Sequence, residues 1–172
     1  MIRDPRDMIV SGYFYHRWCE EIWANSPDQN HGGKSYRERL NSLGQEEGLT
    51  VEMERFSVAC LAEMRDWNYE DPAFIEVKYE DAMRDSERVF RRIFAHYGFD
   101  ATAIDDAMEI VRELGFTRQS GRKPGDVLEG NHLRSGKAGQ WQEVFSATHR
   151  KRCKELMGQA LIDLGYEDRL DW

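Results

Sequence analysis

A chain of 172 residues, 33% charged and 40% hydrophobic, is long enough for one domain around one core. Its formal net charge of -8 argues against a general nucleic-acid or anionic-membrane binder, and no apolar run approaches a membrane span. Three scattered cysteines, Cys19, Cys60 and Cys153, with no CxxC, argue against a zinc site or a disulfide framework. Charges at Arg3, Asp4, Arg6 and Asp7 are unlike a signal peptide, so the default address is the cytoplasm, with free thiols. The charge is uneven. Residues 38–81 hold twelve acidic and four basic side chains, and residues 118–154 hold nine basic and three acidic. That suits a local anionic ligand better than a long polyanion, although two solvated faces of opposite sign give the same counts.

The opening stretch, MIRDPRDMIVSGYFYHR, reads as the joint between a strand end and a helix. Asp4 is an N-cap, Pro5 takes the first helical position and Asp7 lies near the positive end of the helix dipole. Ser11 follows Asp4 by seven residues and shares its helical face, where a guanidinium from Arg3 can meet the hydroxyl on one anion. A surface Arg and an ordinary helix Ser are the alternative. The helix is expected from Pro5 to about Ala24. Residues 25–33 form a polar loop. His31-Gly-Gly-Lys-Ser35 is not a phosphate loop, because Asp28 stands where the first Gly of GxxxxGK[ST] belongs and no apolar strand precedes it.

Ser35 and Glu38 form a capping box for a helix through Leu43. Thr50 opens a longer helix to about Trp67. Phe74 to Tyr79 alternates and is rich in strand formers, so it is the expected strand. Ser86 caps a helix closed by Gly98, and Thr102 to Leu114 forms another closed by Gly115. Residues 116–139 read as a Gly-, Arg- and Lys-rich loop, and the last helix runs from about Thr148 to Leu164. A single strand needs a partner, and only Met1-Ile2 is on offer. The pattern reads as an α/β unit whose front is missing.

Three blocks, in order, resemble sulfotransferases that use 3′-phosphoadenosine 5′-phosphosulfate (PAPS) as donor. Arg3-Asp-Pro-Arg-Asp-Met-Ile-Val-Ser11 is similar to the family's 3′-phosphate motif, an Arg and a Ser eight residues apart. Val77-Lys-Tyr-Glu-Asp81 resembles the family's strand ending in a Tyr-Glu-Asp turn. Phe116-Thr-Arg-Gln-Ser-Gly-Arg122 with His132-Leu-Arg-Ser-Gly-Lys-Ala-Gly-Gln-Trp141 resembles its late RxGxxGxW segment. The resemblance implies an α/β, P-loop-NTPase-like sulfotransferase fold lacking its N-terminal strand and phosphate-binding loop, mostly helical with few parallel strands. It implies a single, incomplete domain over residues 1–172. It further implies that Arg3 and Ser11 bind the donor's 3′-phosphate and that Arg134, Ser135 and Gly136 close over it. Tyr79 would meet the adenine. Phe116 would pack on that base or serve as plain core, and Trp141 and Gly139 would shape the loop.

Several family features have no match. The loop Lys-Ser/Thr-Gly-Thr-Thr-Trp, whose Lys stabilises the leaving phosphate, is absent from this sequence. So is the His base that precedes the 3′-phosphate motif. His16 and His31 follow the motif, and His16 reads as a surface or packing residue. The family's dimer motif is replaced by Gln142, Ser146, Ala147 and Lys151. The expected function is sulfuryl transfer from PAPS to a hydroxyl or amine acceptor, with this chain supplying the 3′-phosphate and adenine side and no metal. The alternatives are an inactive nucleotide-binding member and a helical interaction remnant. Partners are then PAPS or its product PAP, and an acceptor whose identity residues 25–48 are expected to influence.

Overall fold

The computed structural model describes residues 1–172. Its helices are α1 (Pro5–His16), α2 (Ile22–Asn25), α3 (Tyr36–Ser42), α4 (Gln45–Ala59), α5 (Leu61–Asp66), α6 (Tyr79–Arg84), α7 (Ser86–His96), α8 (Ala101–Leu114), α9 (Phe116–Ser120), α10 (Trp141–Val144) and α11 (Ala147–Asp163). A 3-10 turn covers Gln29–His31. No helix is long and apolar enough to cross a membrane. The chain forms two compact units. The first joins Met1–Arg3 to Asn68–Ala138, and the second joins Asp4–Trp67 to Gly139–Trp172.

In the second unit, Asp4 caps α1 through its carboxylate, which accepts the Arg6 N–H at 2.9 Å, and Pro5 follows. Asp7 does more than favour the dipole. It is fully buried and accepts the backbone N–H groups of Gly139 at 2.6 Å and Trp141 at 3.0 Å, tying α1 to the start of α10. The first helix ends at His16, not near Ala24. Past that point the Cys19 carbonyl is taken by the Asn25 side-chain amide at 3.0 Å and by Arg37 at 3.3 Å instead of by a helical N–H. Side-chain competition of this kind carries no Gly or Pro signal.

The capping box at α3 forms as expected, with Ser35 and Glu38 satisfying each other's backbone groups. The next helix starts behind Gly44, ahead of Thr50. Gly48 and Thr50 look like punctuation in sequence, yet both lie inside α4. A Cβ on Gly48 would stand 2.5 Å from Tyr13 Cε2, and one on Gly12 would stand 2.7 Å from Glu52 Oε1. The two glycines let α1 and α4 approach closely, which outweighs the roughly 1 kcal/mol of helix propensity that each costs. A break at Cys60 separates α5 from α4. Ile9, Val10, Tyr13, Leu49, Met53, Met157 and Leu161 fill the core between α1, α4 and α11. Each contributes roughly 1.5–3 kcal/mol by leaving water. Trp141 is buried here too, 3.8 Å from the Arg6 guanidinium and edge-on to Trp172. Its loop-shaping role is a core role.

In the first unit the expected strand over Phe74–Tyr79 does not form. A single parallel bridge joins Ile2 to Lys78, through Ile2 N–H to the Val77 carbonyl at 2.9 Å and Tyr79 N–H to the Ile2 carbonyl at 2.8 Å. The partner foreseen for that stretch is the one used, but it offers one rung. Residues 74–77 therefore stay outside any ladder, and Tyr79 opens α6 instead of ending a strand. The caps also differ from the sequence reading by one or two residues. Asp85 caps α7 and Asp100 caps α8, each accepting the N–H three residues on. Carboxylates make N-caps as good as Ser and better than Thr. Residues 116–120, expected as loop, form α9, closed by Gly121 at φ +69. Val77, Ala82 and Val89 form a small core, flanked by Ile75 and Ile93.

Candidate functional site

The site grows out of the single parallel rung. Because Ile2 pairs with Lys78, the next residues along each segment, Arg3 and Tyr79, are neighbours. The Arg3 guanidinium carbon lies 4.6 Å from the centre of the Tyr79 ring, a cation–π contact. Both side chains are half-buried. Tyr79 and Phe116 line one cavity of about 890 Å³, together with Met83, Phe90, Arg112 and Arg118. That volume and its mixture of aromatic, thioether and cationic groups suit a small ligand with a flat ring and an anionic group.

Phe116 is also packed by the segment after α9. Gly136 sits at φ +58, in the left-handed region, with its α-carbon against the ring. A Cβ there would stand 2.5 Å from Phe116 Cδ2, so only glycine lets the backbone come this close. Ser135 is buried, and its carbonyl accepts the Gly125 N–H at 2.7 Å. The Leu128 N–H donates to the Arg134 carbonyl at 2.9 Å. Arg122 binds this segment together. Its guanidinium donates to the carbonyls of Asp126, Leu133 and Arg134 and lies 5.4 Å from the centre of the Phe116 ring. Sequence reasoning quoted Arg122 inside a motif but gave it no role, because nothing in a spacing shows which carbonyls a long side chain will reach.

The remaining candidates fall as follows. Arg134 pairs with Glu129, Nε to Oε1 at 3.3 Å, and its side chain is 16% exposed. Ser11 lies half-buried on α1 in the second unit. Arg3, Tyr79, Phe116, Arg134, Ser135 and Gly136 all belong to the first unit. Within it the structure joins Arg3 to Tyr79, and Phe116 to Gly136.

His16 does not stand free as a base. His16 is buried and its Nδ1 lies 2.8 Å from Glu52 Oε2. Glu52, 1% exposed, also accepts the Tyr36 hydroxyl at 2.7 Å and sits 3.4 Å from Arg55 Nη1. Burial and the Glu52 carboxylate push the Tyr36 hydroxyl far above its ordinary range, so it stays a donor. This buried polar cluster was missed. Its signal was present, since Glu52 shares a helical face with Leu49, Met53 and Phe56 at three- and four-residue spacing. A carboxylate on that stripe has to be buried with donors around it.

Set against known families, the sequence matches the family model described as Sulfotransferase domain over residues 1–165. No curated protein matches the chain.

Proposed function

Since the chain belongs to the sulfotransferase family, whose chemistry is sulfuryl transfer, we propose that its first unit binds the adenosine 3′-phosphate side of a PAPS donor. The observation that carries the reading is the pairing of Arg3 with Tyr79 beside a cavity that Tyr79 shares with Phe116. In this reading the adenine lies in the cavity between aromatic side chains, and the guanidinium of Arg3 takes the 3′-phosphate. Ser11 carries the same phosphate assignment on the sequence motif alone. Arg134 and the backbone at Ser135 and Gly136 add charge and N–H groups to the anion, with Gly136 allowing close approach.

Sulfuryl transfer forms a bond between an acceptor oxygen or nitrogen and sulfur, and breaks the bond from sulfur to the donor's bridging oxygen. The acceptor's proton must go to a base, and negative charge grows on the departing adenosine 3′,5′-bisphosphate. Residues that hold the remote phosphate fix the donor's position and so lower the entropic part of the barrier. They do not take the proton or neutralise the leaving oxygen.

Calorimetric titration with adenosine 3′,5′-bisphosphate tests the assignment. Arg3→Ala should weaken binding at least tenfold, the order expected when a charge-assisted contact of about 1.5–3 kcal/mol is lost. Unchanged affinity removes Arg3 from the site. A second reading is nucleotide binding without chemistry. Labelled sulfuryl transfer from PAPS to a panel of phenols and sugars separates the two, because sustained turnover excludes the second.

A further inference from the structure

The second unit contains a cleft of its own, about 340 Å³, lined by residues of α2, the 3-10 turn, α3 and α4. Its floor is aromatic and its walls are charged. Trp23, still 44% exposed, lies edge-on to His16 with ring centres 5.0 Å apart and leans on Tyr36 at 5.6 Å. The guanidinium of Arg55 sits over Trp23 at 4.2 Å and over Tyr36 at 5.4 Å. Behind this floor is the buried Glu52 carboxylate, which receives Tyr36, faces His16 and holds Arg55. Burying a carboxylate costs several kcal/mol unless donors surround it. Here the donors that surround it are the groups that fix the floor, so the cleft is supported from behind, as a built binding site is.

Most of the charges on the walls have partners of their own. Glu54 is paired with Arg152 at 2.8 Å. Asp28 accepts the Asn30 N–H at 2.9 Å and lies 3.3 Å from His31 Nδ1. Arg55 shares Glu52. Arg39 lines the same cleft and pairs with no carboxylate. One guanidinium without a carboxylate, beside an exposed indole and Val51, matches a ligand that places an anionic group next to a ring.

We propose that this cleft binds a small ligand carrying an anionic group beside a ring, with Arg39 on the anion and Trp23 and Arg55 against the ring. The inference does not depend on the donor reading. The shared chemistry has two sources, an aromatic acid or an acidic sugar, and 4-hydroxybenzoate and D-glucuronate represent them.

Titration of the 15N-labelled protein, followed at the Trp23 indole N–H, reads occupancy directly. At least one of the two anionic probes should bind, and its neutral counterpart, 4-hydroxybenzyl alcohol or D-glucose, should bind at least tenfold more weakly. Arg39→Gln should cost a similar factor while leaving the melting temperature unchanged, because Arg39 holds no ion pair that folding needs. Saturating adenosine 3′,5′-bisphosphate should leave the probe's affinity unaltered. Binding of neither anionic probe, equal binding of the neutral one, indifference to Arg39→Gln, or displacement by the nucleotide overturns the assignment. Because the nucleotide is titrated in the same samples, failure here is separable from failure at the donor cavity.

Discussion

Gly136 against Phe116 is the sharpest packing constraint in the first unit, and a double-mutant cycle measures it. In Gly136→Ala the new methyl meets two separate costs. A non-glycine residue held at φ +58 loses roughly 1–2 kcal/mol. The methyl would also lie 2.5–2.7 Å from three ring carbons of Phe116, an overlap that must be relieved by moving the ring or the backbone. Overpacking of this kind costs roughly 1–3 kcal/mol. The single variant should therefore lose about 2–5 kcal/mol in urea unfolding. In a Phe116→Ala background the ring is gone and only the backbone cost remains, about 1–2 kcal/mol. The difference between the two increments, roughly 1–3 kcal/mol, is the coupling energy expected of touching residues. Identical increments in both backgrounds would refute the contact. In parallel, Phe116→Ala should weaken adenosine 3′,5′-bisphosphate binding if the ring is a wall of the adenine cavity, and unchanged affinity would make it plain core.

Three further outcomes follow from particular contacts. Glu129 competes with any phosphate for Arg134, so Glu129→Gln should tighten nucleotide binding about two- to fivefold, the range of a partly exposed ion pair. Isothermal titration at low salt reads this, and weaker binding would place Arg134 off the phosphate. Asp7→Ala leaves the buried N–H groups of Gly139 and Trp141 without their acceptor, so it should cost about 2–5 kcal/mol in denaturant unfolding. A loss below about 1 kcal/mol would contradict the tie between α1 and α10. Burial pushes the Cys153 thiol from 9.0 up to about 12. Between those values the unfolded chain has released a proton that the folded chain keeps, so this contribution to stability is present below pH 9 and lost as pH rises toward 12. The midpoint of urea unfolding should fall between pH 8 and 10.5, and fall less in Cys153→Ala. Native Cys153 should also resist thiol reagents at pH 8.

Much of the architecture was legible. The Asp4-Pro5 start, the Ser35–Glu38 box and the pairing of Ile2 beside Lys78 follow from cap chemistry and from the need of an extended segment for a partner. The errors have physical sources. The strand over residues 74–79 reduced to one rung, because alternation records side-chain pattern and not how many partners the backbone will find. The end of α1 was invisible because Asn25 and Arg37 capture the Cys19 carbonyl from a distance along the chain. The start of α4 was placed at Thr50, yet the helix begins at Gln45 and Gly48 inside it is where Tyr13 presses onto α4. For the candidate site, motif order singled out Arg3, Tyr79, Phe116 and Gly136; the anchoring by Arg122 has no signal in a spacing, whereas the Glu52 cluster had one, a carboxylate on an apolar helical stripe, that went unread.

The division of the chain has a consequence for how it is made and taken apart. The first unit begins at Met1–Arg3 and resumes only at Asn68, while the second is interrupted from Asn68 to Ala138. Neither can be excised as one contiguous stretch. During synthesis at roughly 5–20 residues per second, Ile2 waits several seconds for Lys78, and α1 waits longer for α11. Closing each of these loops costs entropy that grows only logarithmically with its length. A single protease cut between Trp67 and Asn68 would leave every segment of both units in place. Limited proteolysis there should yield a nicked protein that co-migrates under native conditions, not two separable domains.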